Sequence, residues 1–290
     1  MKYVISGASG FIGSALTKML SDAGDTVTGL SRSDFADGKE AMLASKIEGA
    51  DVVINLAGAT INRRWTKQYK ADILNSRVET TDKIVAAINS LKQKPKLFIS
   101  TSAIGLYPST GSFPDTSDTA GDGFLSGVCH LWESAAKKVS PDVRLVITRF
   151  APVLAADGGI FPPLVKLFKL RLGGRIGSGR QTFCWIMRDD LMNIYKHIIS
   201  DAGITGAVNC ASPGSTDNRA FTVDLAQALR VAAPWMIPAF MLRAILGERA
   251  EMLTEGQNAI PYKLGESGFK FGYPDIKAAL AELCKGGLKG

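Results

Sequence analysis

Short apolar runs rich in β-branched residues alternate with segments of helical periodicity along the first half of the chain. The apolar runs are KYVIS, TVTGL, DVVINLA, KLFIS and RLVITRF. Helical spacing separates most of them, as in Phe11 to Ala23 and Trp65 to Leu91. This alternation is typical of a parallel sheet flanked by helices, and the continuous apolar character indicates strands covered on both faces. We therefore predict an α/β fold built on a doubly wound parallel sheet.

The pattern loosens after Arg149, where glycine and proline become frequent: Gly158, Gly159, Pro162, Pro163, Gly173, Gly174, Gly177 and Gly179. Such punctuation predicts loops around a ligand rather than a second sheet core. A helical segment at Asp189 to Ser200 and the strand-like GAVNCA then indicate a return to the first sheet. We expect a first domain at residues 1–152 plus about 181–212, and a smaller C-terminal substrate or lid domain at about 153–180 and 213–290.

The segment SGASGFIG, from Ser6 to Gly13, follows the first predicted strand and opens a helix with an apolar face. At such a turn the backbone amides of a helix N-terminus can approach a pyrophosphate, and glycine leaves room for that approach. The glycine spacing in this context predicts a Rossmann-type dinucleotide site, with a simple tight turn as the alternative. The predicted cofactor contacts are Gly7, Ser9, Gly10, Phe11, Ile12 and Gly13.

The residues after the second strand bear on which dinucleotide is bound. A cofactor with a free ribose 2′-hydroxyl usually meets Asp or Glu roughly 20 residues after the glycines, but Ser31 and Arg32 stand here. A hydroxyl and a guanidinium can bind a 2′-phosphate, so NADP is favoured over NAD. The alternative is that Arg32 is a solvated loop residue and Asp34 binds the ribose. The usual third strand is hard to find between Ser33 and Ala50, so we expect a short or differently built adenine pocket.

Composition narrows the class of protein. The chain has 290 residues, 46% of them hydrophobic, which is enough for one large core or two modest ones. The formal charge of +7 comes from scattered basic residues, which does not favour a nucleic-acid partner. Cys129, Cys184, Cys210 and Cys284 lack paired spacing, so we expect no metal, no disulfide and a cytoplasmic location. Neither a signal peptide nor a membrane span is indicated.

Several motifs occur together in an order that carries a family resemblance. They are the glycine spacing of the first loop, NLAG from Asn55, STSAIGLYP from Ser100 and GSGRQTFCWIMRDDL from Gly177. Together they resemble the extended short-chain dehydrogenases/reductases, which include sugar-nucleotide epimerases and dehydratases. The stretches RRW, SRVETT, FLSGVCHLWE and YKLGESGFKFGYP resemble an atypical NAD(P)-dependent, sugar-nucleotide epimerase-like subgroup with its own C-terminal domain of unknown function.

The resemblance also implies which residues surround the ligands. The cofactor would be lined by parts of NLAG and RFAPVL, namely Leu56, Ala57, Gly58, Ala151, Pro152 and Val153. Gln181 and Trp185 would contact the substrate, whereas Met187 stands where a histidine often occurs. Helices at Trp65 to Leu91 and Thr119 to Val139 would form a homodimer.

The acid and base groups expected from the family are missing. Ser102 matches the serine that holds the substrate oxygen. When the dipeptide WE is used as the anchor, the family's Tyr position holds Leu125 and its Lys position holds Cys129. Arg77 takes the place of an Asn on the preceding helix. The subgroup resemblance implies the same Arg and Cys exchanges.

The remaining groups leave the chemistry open. Arg77 could lie near Cys129 and favour its thiolate, which would make the cysteine a proton acceptor or nucleophile; a buried structural cysteine is the alternative. Tyr107, after the serine strand, is a further candidate acid, with packing as its alternative. Structural contacts are the simplest roles for Glu133 and Arg149. The candidate catalytic residues are therefore Ser102, Cys129, Arg77 and Tyr107, and the cofactor would also contact Arg77 and Ser102.

Two functional hypotheses follow. The first is an NADP(H)-dependent oxidoreductase or epimerase-like enzyme with a non-standard site, acting on a small, anionic or nucleotide-sugar substrate. Arginines that could surround such a ligand, or merely solubilise the chain, are Arg63, Arg64, Arg77, Arg175, Arg180 and Arg188. The second is a catalytically silent NADPH-binding sensor or scaffold that acts through a protein partner. Apolar residues between Trp235 and Leu246 would dock that partner, although core or lid packing is the commoner role of such a stripe.

Overall fold

The computed structural model describes residues 1–285. Each of the five apolar runs of the first half forms a strand, and the predicted helices lie between them. The elements in this part of the chain are β1 Lys2–Ser6, α1 Phe11–Asp22, β2 Thr26–Leu30, α2 Glu40–Ile47, β3 Val52–Asn55, α3 Lys67–Ser90, β4 Leu97–Ala103, β5 Ser112–Pro114, α4 Phe124–Ala136 and β6 Arg144–Phe150. Two 3₁₀ turns follow β2 and β4, at Arg32–Phe35 and Ile104–Leu106.

Most strands of the later part of the chain are only two or three residues long. The elements in this part are β7 Val153–Ala155, β8 Gly158–Gly159, α5 Phe161–Lys169, β9 Gly174–Ile176, β10 Thr182–Phe183, β11 Ile186–Met187, α6 Arg188–Ser200, β12 Gly206–Cys210, β13 Thr216–Asp217, α7 Asn218–Leu229, β14 Trp235–Ile237, α8 Ala239–Leu246, α9 Glu251–Thr254, β15 Asn258–Ile260, α10 Tyr262–Glu266 and α11 Ile276–Lys285. The expectation of loops is wrong at α5. Pro162 and Pro163 occupy its first turn, where a missing N–H costs no intrahelical hydrogen bond.

A parallel sheet of six strands forms the centre of the fold, in the order β12, β6, β4, β3, β1 and β2. This confirms the predicted α/β fold and the return of GAVNCA to the first sheet. β1 lies between β2 and β3, with Tyr3 opposite both Val27 and Val52. Residues 33–50 form a 3₁₀ turn and α2 instead of a strand, which explains the weak strand signal there and leaves β2 at the edge of the sheet.

The chain divides into two compact units. The first contains Met1–Leu106, Asp122–Arg149 and Tyr195–Val208, and the second contains Tyr107–Gly121, Phe150–Ile194 and the chain from Asn209 onward. The second unit includes residues 107–121 and 181–194, which the hydrophobic pattern assigns to the first domain. The predicted second domain extends to residue 290, and its residues 286–290 lie outside the described part.

The core of the first unit lies between the sheet and its helices. Apolar residues of α2, α3 and α4, such as Leu43, Ile84 and Ala136, pack with Val53 and Phe98 of the sheet. All four residues of β3 are buried, as expected for a strand covered on both faces. Burial of this kind fixes the carboxyl ends of β1, β3 and β4, where the candidate residues lie.

The second unit combines a core with an exposed apolar stripe. Its core contains aromatic residues from several short elements, including Phe161, Trp185 and Phe221. By contrast, α8 buries none of its residues, and Phe240 is 72% exposed. The stripe between Trp235 and Leu246 is therefore not part of this core.

Candidate functional site

The turn between β1 and α1 is shaped by backbone atoms. Gly7 has a φ of +73°, and a Cβ at this position would lie 3.0 Å from the carbonyl carbon of Leu56. A Cβ at Gly13 would lie 2.1 Å from the carbonyl oxygen of Gly7, a separation that real side chains do not reach. Glycine is therefore required at both positions, for its positive φ at Gly7 and for its missing side chain at Gly13.

The same turn presents the N-terminus of α1. The N-cap residue is Gly10, in an extended conformation and without a side chain that could bind the first N–H groups. Ser9 and Gly10 are exposed, and Phe11 and Ile12 are partly exposed. A helix N-terminus favours an anion, and the glycines leave space for one, so these residues fit the pyrophosphate of a dinucleotide.

The carboxylate of Asp34 is directed into the protein at the end of β2. It is 3% exposed, accepts hydrogen bonds from the Ser31 amide at 2.8 Å and the Ser31 hydroxyl at 2.9 Å, and pairs with Lys46 at 2.6 Å. The hydrogen bond from Lys46 lowers the pKa of Asp34 against the opposing effect of burial. Binding of a ribose by Asp34 would break these contacts, whereas Arg32 is exposed at the carboxyl end of β2. The local structure favours a phosphate ligand at this point.

Arg77 places a permanent positive charge against the loop that follows β3. A Cβ at Gly58 would lie 2.9 Å from the Arg77 Cζ, so the guanidinium packs directly on the Gly58 backbone. Its Nη1 donates to the Ala59 carbonyl at 3.1 Å, and its Cζ lies 5.2 Å from the centre of the Trp132 ring. Burial lowers the pKa of Arg77, but a guanidinium remains charged in proteins. Leu56, Ala57 and Gly58 thus form a loop that is fixed beside a cation.

Ser102 belongs to a buried ion-pair network. Its hydroxyl donates to Glu133 Oε1 at 2.8 Å, while Arg149 donates from Nε to Oε1 and from Nη2 to Oε2, both at 2.8 Å. Ser102, Glu133 and Arg149 are 1%, 4% and 2% exposed. Glu133 and Arg149 therefore make the structural contacts that are their simplest roles. Since the Ser102 proton points to Glu133, the Ser102 oxygen can accept a hydrogen bond but cannot donate a second one.

Cys129 is a neutral, buried thiol. Burial raises its pKa to about 11, and the Glu133 carboxylate adds to that effect, against smaller lowering effects from Ala103, Ser102 and Arg77. The charge of Arg77 is thus too weak an influence to produce a thiolate at neutral pH. The burial of the thiol favours the alternative, a structural cysteine, and a role for Cys129 as a proton acceptor or nucleophile stays a prediction. Leu125, at the family's Tyr position, offers no proton.

Tyr107 lies in the second unit, where it is almost completely buried. Its hydroxyl donates to Asn209 Oδ1 at 2.9 Å and lies 3.3 Å from the Pro114 carbonyl oxygen. Its ring stacks on Phe113 with centroids 5.1 Å apart. The assignment of Tyr107 as a catalytic acid is therefore corrected to packing, because both its ring and its hydroxyl have partners within the unit.

The predicted substrate residues also lie in the second unit. Trp185 is 0% exposed and its indole donates to the Gly214 carbonyl at 3.0 Å, so it is a core residue rather than a ligand contact. The Gln181 amide donates to the carbonyls of Ile176 and Leu253 at 3.2 and 3.1 Å. These bonds leave the side-chain carbonyl oxygen of Gln181 as the group that could accept a hydrogen bond from a ligand.

The predicted nicotinamide segment runs along β7. The Ala151 amide donates to the Cys210 carbonyl at 3.1 Å, and the Pro152 carbonyl accepts from the Ile186 amide at 3.1 Å. Val153, at the start of β7, pairs with Ile186 of β11. The segment is therefore held by backbone hydrogen bonds within the second unit, and its contact with a cofactor stays a prediction.

Comparison with known proteins bears on the family. A model described as the NAD dependent epimerase/dehydratase family matches residues 3–125, and a domain of unknown function, DUF1731, matches residues 237–283. The epimerase family protein SDR39U1 of Homo sapiens is 35% identical over 292 residues, which cover 98% of this chain and 99% of that protein. This chain therefore belongs to the NAD-dependent epimerase/dehydratase family. The epimerase family protein YfhF of Bacillus subtilis is 34% identical over 298 residues, with 98% of each chain covered.

Solved structures agree with this assignment. The crystal structure of human epimerase family protein SDR39U1 (isoform 2) with NADPH has a TM-score of 0.90 and 34% identity, and covers 98% of this chain and 99% of that chain. The UDP-N-acetylglucosamine 4-epimerase of Bacillus cereus has a TM-score of 0.76 at 13% identity, a likeness that shows the fold alone. The resemblance to an atypical short-chain dehydrogenase/reductase with its own C-terminal domain is confirmed.

Sequence reasoning missed the buried polar residues that fix the cofactor end of this epimerase family protein. Asn55, the last residue of β3, accepts hydrogen bonds from the Ser6 hydroxyl and, at 3.3 Å, from the Ala57 amide. Its Nδ2 donates to Thr81 Oγ1 at 2.8 Å, which also accepts from the Trp132 indole at 2.9 Å. The available signal was a polar residue ending an otherwise apolar strand, because such a residue needs a buried partner.

Residues 1–285 also bear on two other classes of site. None of the helices there is long and apolar enough to cross a membrane. Within the same residues, no group of three or more His, Cys, Asp and Glu could hold a metal ion. Of the six candidate arginines, Arg188 is engaged by Asp157 at 2.6 Å, which reduces its availability to a substrate.

Proposed function

We propose that this chain is an NADP(H)-dependent oxidoreductase of the atypical short-chain type, acting on a small substrate that is anionic or a sugar nucleotide. The glycine turn carries the proposal: Gly13 stands where a Cβ would come within 2.1 Å of the Gly7 carbonyl oxygen. A glycine at this position of a dinucleotide fingerprint allows the helix to pack closely on the turn after the strand, which sets its N-terminus beside the pyrophosphate. The relative SDR39U1 was crystallised with NADPH, which supports the same choice of cofactor.

Different residues of this chain would bind different parts of the cofactor. The first turn of α1 would hold the pyrophosphate, and Arg32 would bind the 2′-phosphate, since Asp34 already pairs with Lys46. Leu56, Ala57 and Gly58 would form the wall on the β3 side. When bound, NADPH supplies a hydride to a carbonyl carbon.

Arg77 is the group that could replace the family's lysine. Its guanidinium is fixed by the Ala59 carbonyl and stays charged at every relevant pH. Negative charge develops on the oxygen of a carbonyl that is being reduced, and a fixed cation lowers the energy of that charge. Ser102 would contribute an acceptor only, because its proton is bonded to Glu133. With Leu125 and a neutral Cys129 nearby, the proton for the product would come from solvent.

A calorimetric titration followed by a turnover assay tests this function. We expect the purified protein to bind NADPH at least tenfold more tightly than NADH, and to oxidise NADPH with members of a panel of carbonyl compounds and sugar nucleotides. Arg77→Lys should keep part of that turnover and Arg77→Met should lose it, with turnover of both variants measured at saturating NADPH. Absence of binding to either coenzyme would refute the proposal.

A catalytically silent NADPH sensor is the second candidate. It is favoured by the Ser102 proton, which is held by Glu133, and by the two replaced positions, Leu125 and Cys129. In that case NADPH binds with the affinity expected above, no panel member is reduced, and a partner is recovered only when the exposed stripe from Trp235 to Leu246 is intact. Turnover that depends on Arg77 would exclude this candidate.

A further inference from the structure

Four cations are concentrated in one stretch beside the candidate site. Residues 60–70, called here the basic segment, contain Arg63, Arg64, Lys67 and Lys70 and no acidic residue. The segment connects the loop after β3 to α3. In open α/β sheets, ligands bind beyond the carboxyl ends of the strands, so the segment belongs to the ligand end of the first unit.

Hydrogen bonds give the basic segment a defined shape. The Tyr69 hydroxyl donates to the Thr60 carbonyl at 2.6 Å, and the Trp65 indole donates to the Ile61 carbonyl at 3.0 Å. Just before the segment, the Ser76 hydroxyl accepts from the Ala59 amide at 2.9 Å. These contacts fold the loop back onto α3, so its cations are carried on ordered backbone.

Aromatic rings hold two of the cations in place. The Arg63 Cζ lies 5.9 Å from the centre of the Tyr69 ring, and the Lys70 Nζ lies 4.9 Å from the centre of the Phe124 ring. Trp65 packs edge-on against Phe124, with centroids 5.3 Å apart. A cation over a ring is attracted by the ring quadrupole but keeps its full charge. The rings therefore orient these charges without neutralising them.

Acidic partners do not compensate three of these charges. Within the described residues, no carboxylate forms an ion pair with Arg63, Arg64 or Lys67. Arg63, Arg64 and Lys67 lie within five residues of one another, and like charges repel each other. Solubilising charge needs neither a shared loop nor aromatic support. An arrangement that disfavours itself electrostatically fits a site that an anion completes.

We propose that Arg63 and Arg64 bind an oxyanion of the substrate, a phosphate or a carboxylate, through the basic segment. The inference rests on the proposed function, and it narrows the substrate to compounds with such a group. Arginine suits this ligand because its planar fork can donate two parallel hydrogen bonds to one oxyanion. The site is separate from Arg32, because β1 lies between β3 and β2 in the sheet.

Anion titrations of the NADPH-saturated protein test this site, since bound NADPH blocks the glycine turn. Pyrophosphate and malonate, at constant ionic strength, represent the phosphate and carboxylate sources. The test variant is Arg63→Gln/Arg64→Gln. The control, Lys92→Gln/Lys137→Gln, removes two exposed charges from the same unit.

We expect the test variant to bind the preferred anion at least tenfold more weakly, with control and parent within twofold of each other and NADPH affinity unchanged. Equal weakening in both double variants, or no weakening in either, overturns the site. So does a parent protein that binds neither anion. A parent protein that does not bind NADPH would instead contradict the proposed function. Anion titrations of the same variants without NADPH would then still show whether anion binding depends on Arg63 and Arg64 or only on the net positive charge.

Discussion

The glycine turn and the surroundings of Ser102 belong to the same unit, yet they differ in how closely they match the family. The turn has the family's glycines, whereas the residues around Ser102 lack the family's tyrosine and lysine. At the turn, the backbone features that suit a pyrophosphate are present, from the positive φ of Gly7 to the glycine N-cap of α1. Around Ser102, the tyrosine and lysine are replaced by Leu125 and Cys129, and the serine proton is bonded to Glu133. The backbone shape that a dinucleotide site requires is thus present where the side-chain chemistry around Ser102 has changed.

The two regions also differ in how they tolerate substitution. The turn is limited by space, because backbone atoms fill the volume that a side chain would need. The Ser102 region is limited by charge, because Glu133 and Arg149 are buried and depend on each other. The following substitutions separate these two limits, in order of decreasing effect.

Removal of one partner of the buried ion pair should have the largest effect. Arg149→Met leaves the Glu133 carboxylate buried without its cation, which typically costs about 3–5 kcal/mol of unfolding free energy. Urea denaturation measures this loss. The double variant Glu133→Leu/Arg149→Met should recover most of it, because no unpaired charge remains. A single variant as stable as the parent would show that the pair contributes little.

A side chain in the glycine turn should abolish cofactor binding. Gly13→Ala introduces a Cβ 2.1 Å from the Gly7 carbonyl oxygen, so the turn must open, and we expect NADPH affinity to fall at least 100-fold, about 2.7 kcal/mol. Calorimetry measures the affinity. Gly127→Ala in α4 is the matched control, because its Cβ meets no atom within 4 Å. It should keep NADPH binding and gain up to about 1 kcal/mol of stability.

Arg32→Gln should change which coenzyme is preferred. Without the guanidinium, the 2′-phosphate loses a charge-assisted hydrogen bond, typically worth about 1.5–3 kcal/mol. We expect NADPH to bind about 10- to 100-fold more weakly while NADH affinity stays within twofold, as measured by thermal shift or calorimetry. An equal loss for both coenzymes would place Arg32 in general cofactor binding instead.

At neutral pH the smallest effect is expected from Cys129→Ser, because its influence on stability appears only at high pH. The pKa of Cys129 is raised to about 11 by burial, so the folded state keeps a proton that the unfolded state releases above about pH 9. The parent should therefore lose stability relative to the variant as pH rises from 9 towards 11, by up to about 1.4 kcal/mol per pH unit. Parallel stability curves would contradict the raised pKa. Turnover at neutral pH should change less than threefold.

Patterns within single segments predicted much of the fold. Local sequence was enough where neighbouring residues determine the structure. This was the case for the strands KYVIS and DVVINLA and for the turn between Ser6 and Gly13. The Ser102, Glu133 and Arg149 network was not, since its members come from β4, α4 and β6 and meet only in the folded sheet. Tyr107 and Trp185 were misassigned for a related reason: an aromatic residue in a plausible loop reveals nothing about its burial.

The preference for Arg32 over Asp34 shows an intermediate case. Residue type alone left both open, and the choice depends on Lys46, which reaches Asp34 from α2. The prolines at the start of α5 led to a wrong prediction of a loop. Proline interrupts a helix interior but is well accepted in a first turn. Local composition therefore predicted most helices and strands, but it did not predict which side chains contact each other.

The contact between Gly13 and the Gly7 carbonyl has a genetic consequence. Every amino acid other than glycine carries a Cβ, so each missense change in codon 13 brings the same collision, however conservative it is. In a saturation library selected for retention of coenzyme, only synonymous alleles of this codon should survive, whereas the codon for Gly127 should accept a broad range of replacements.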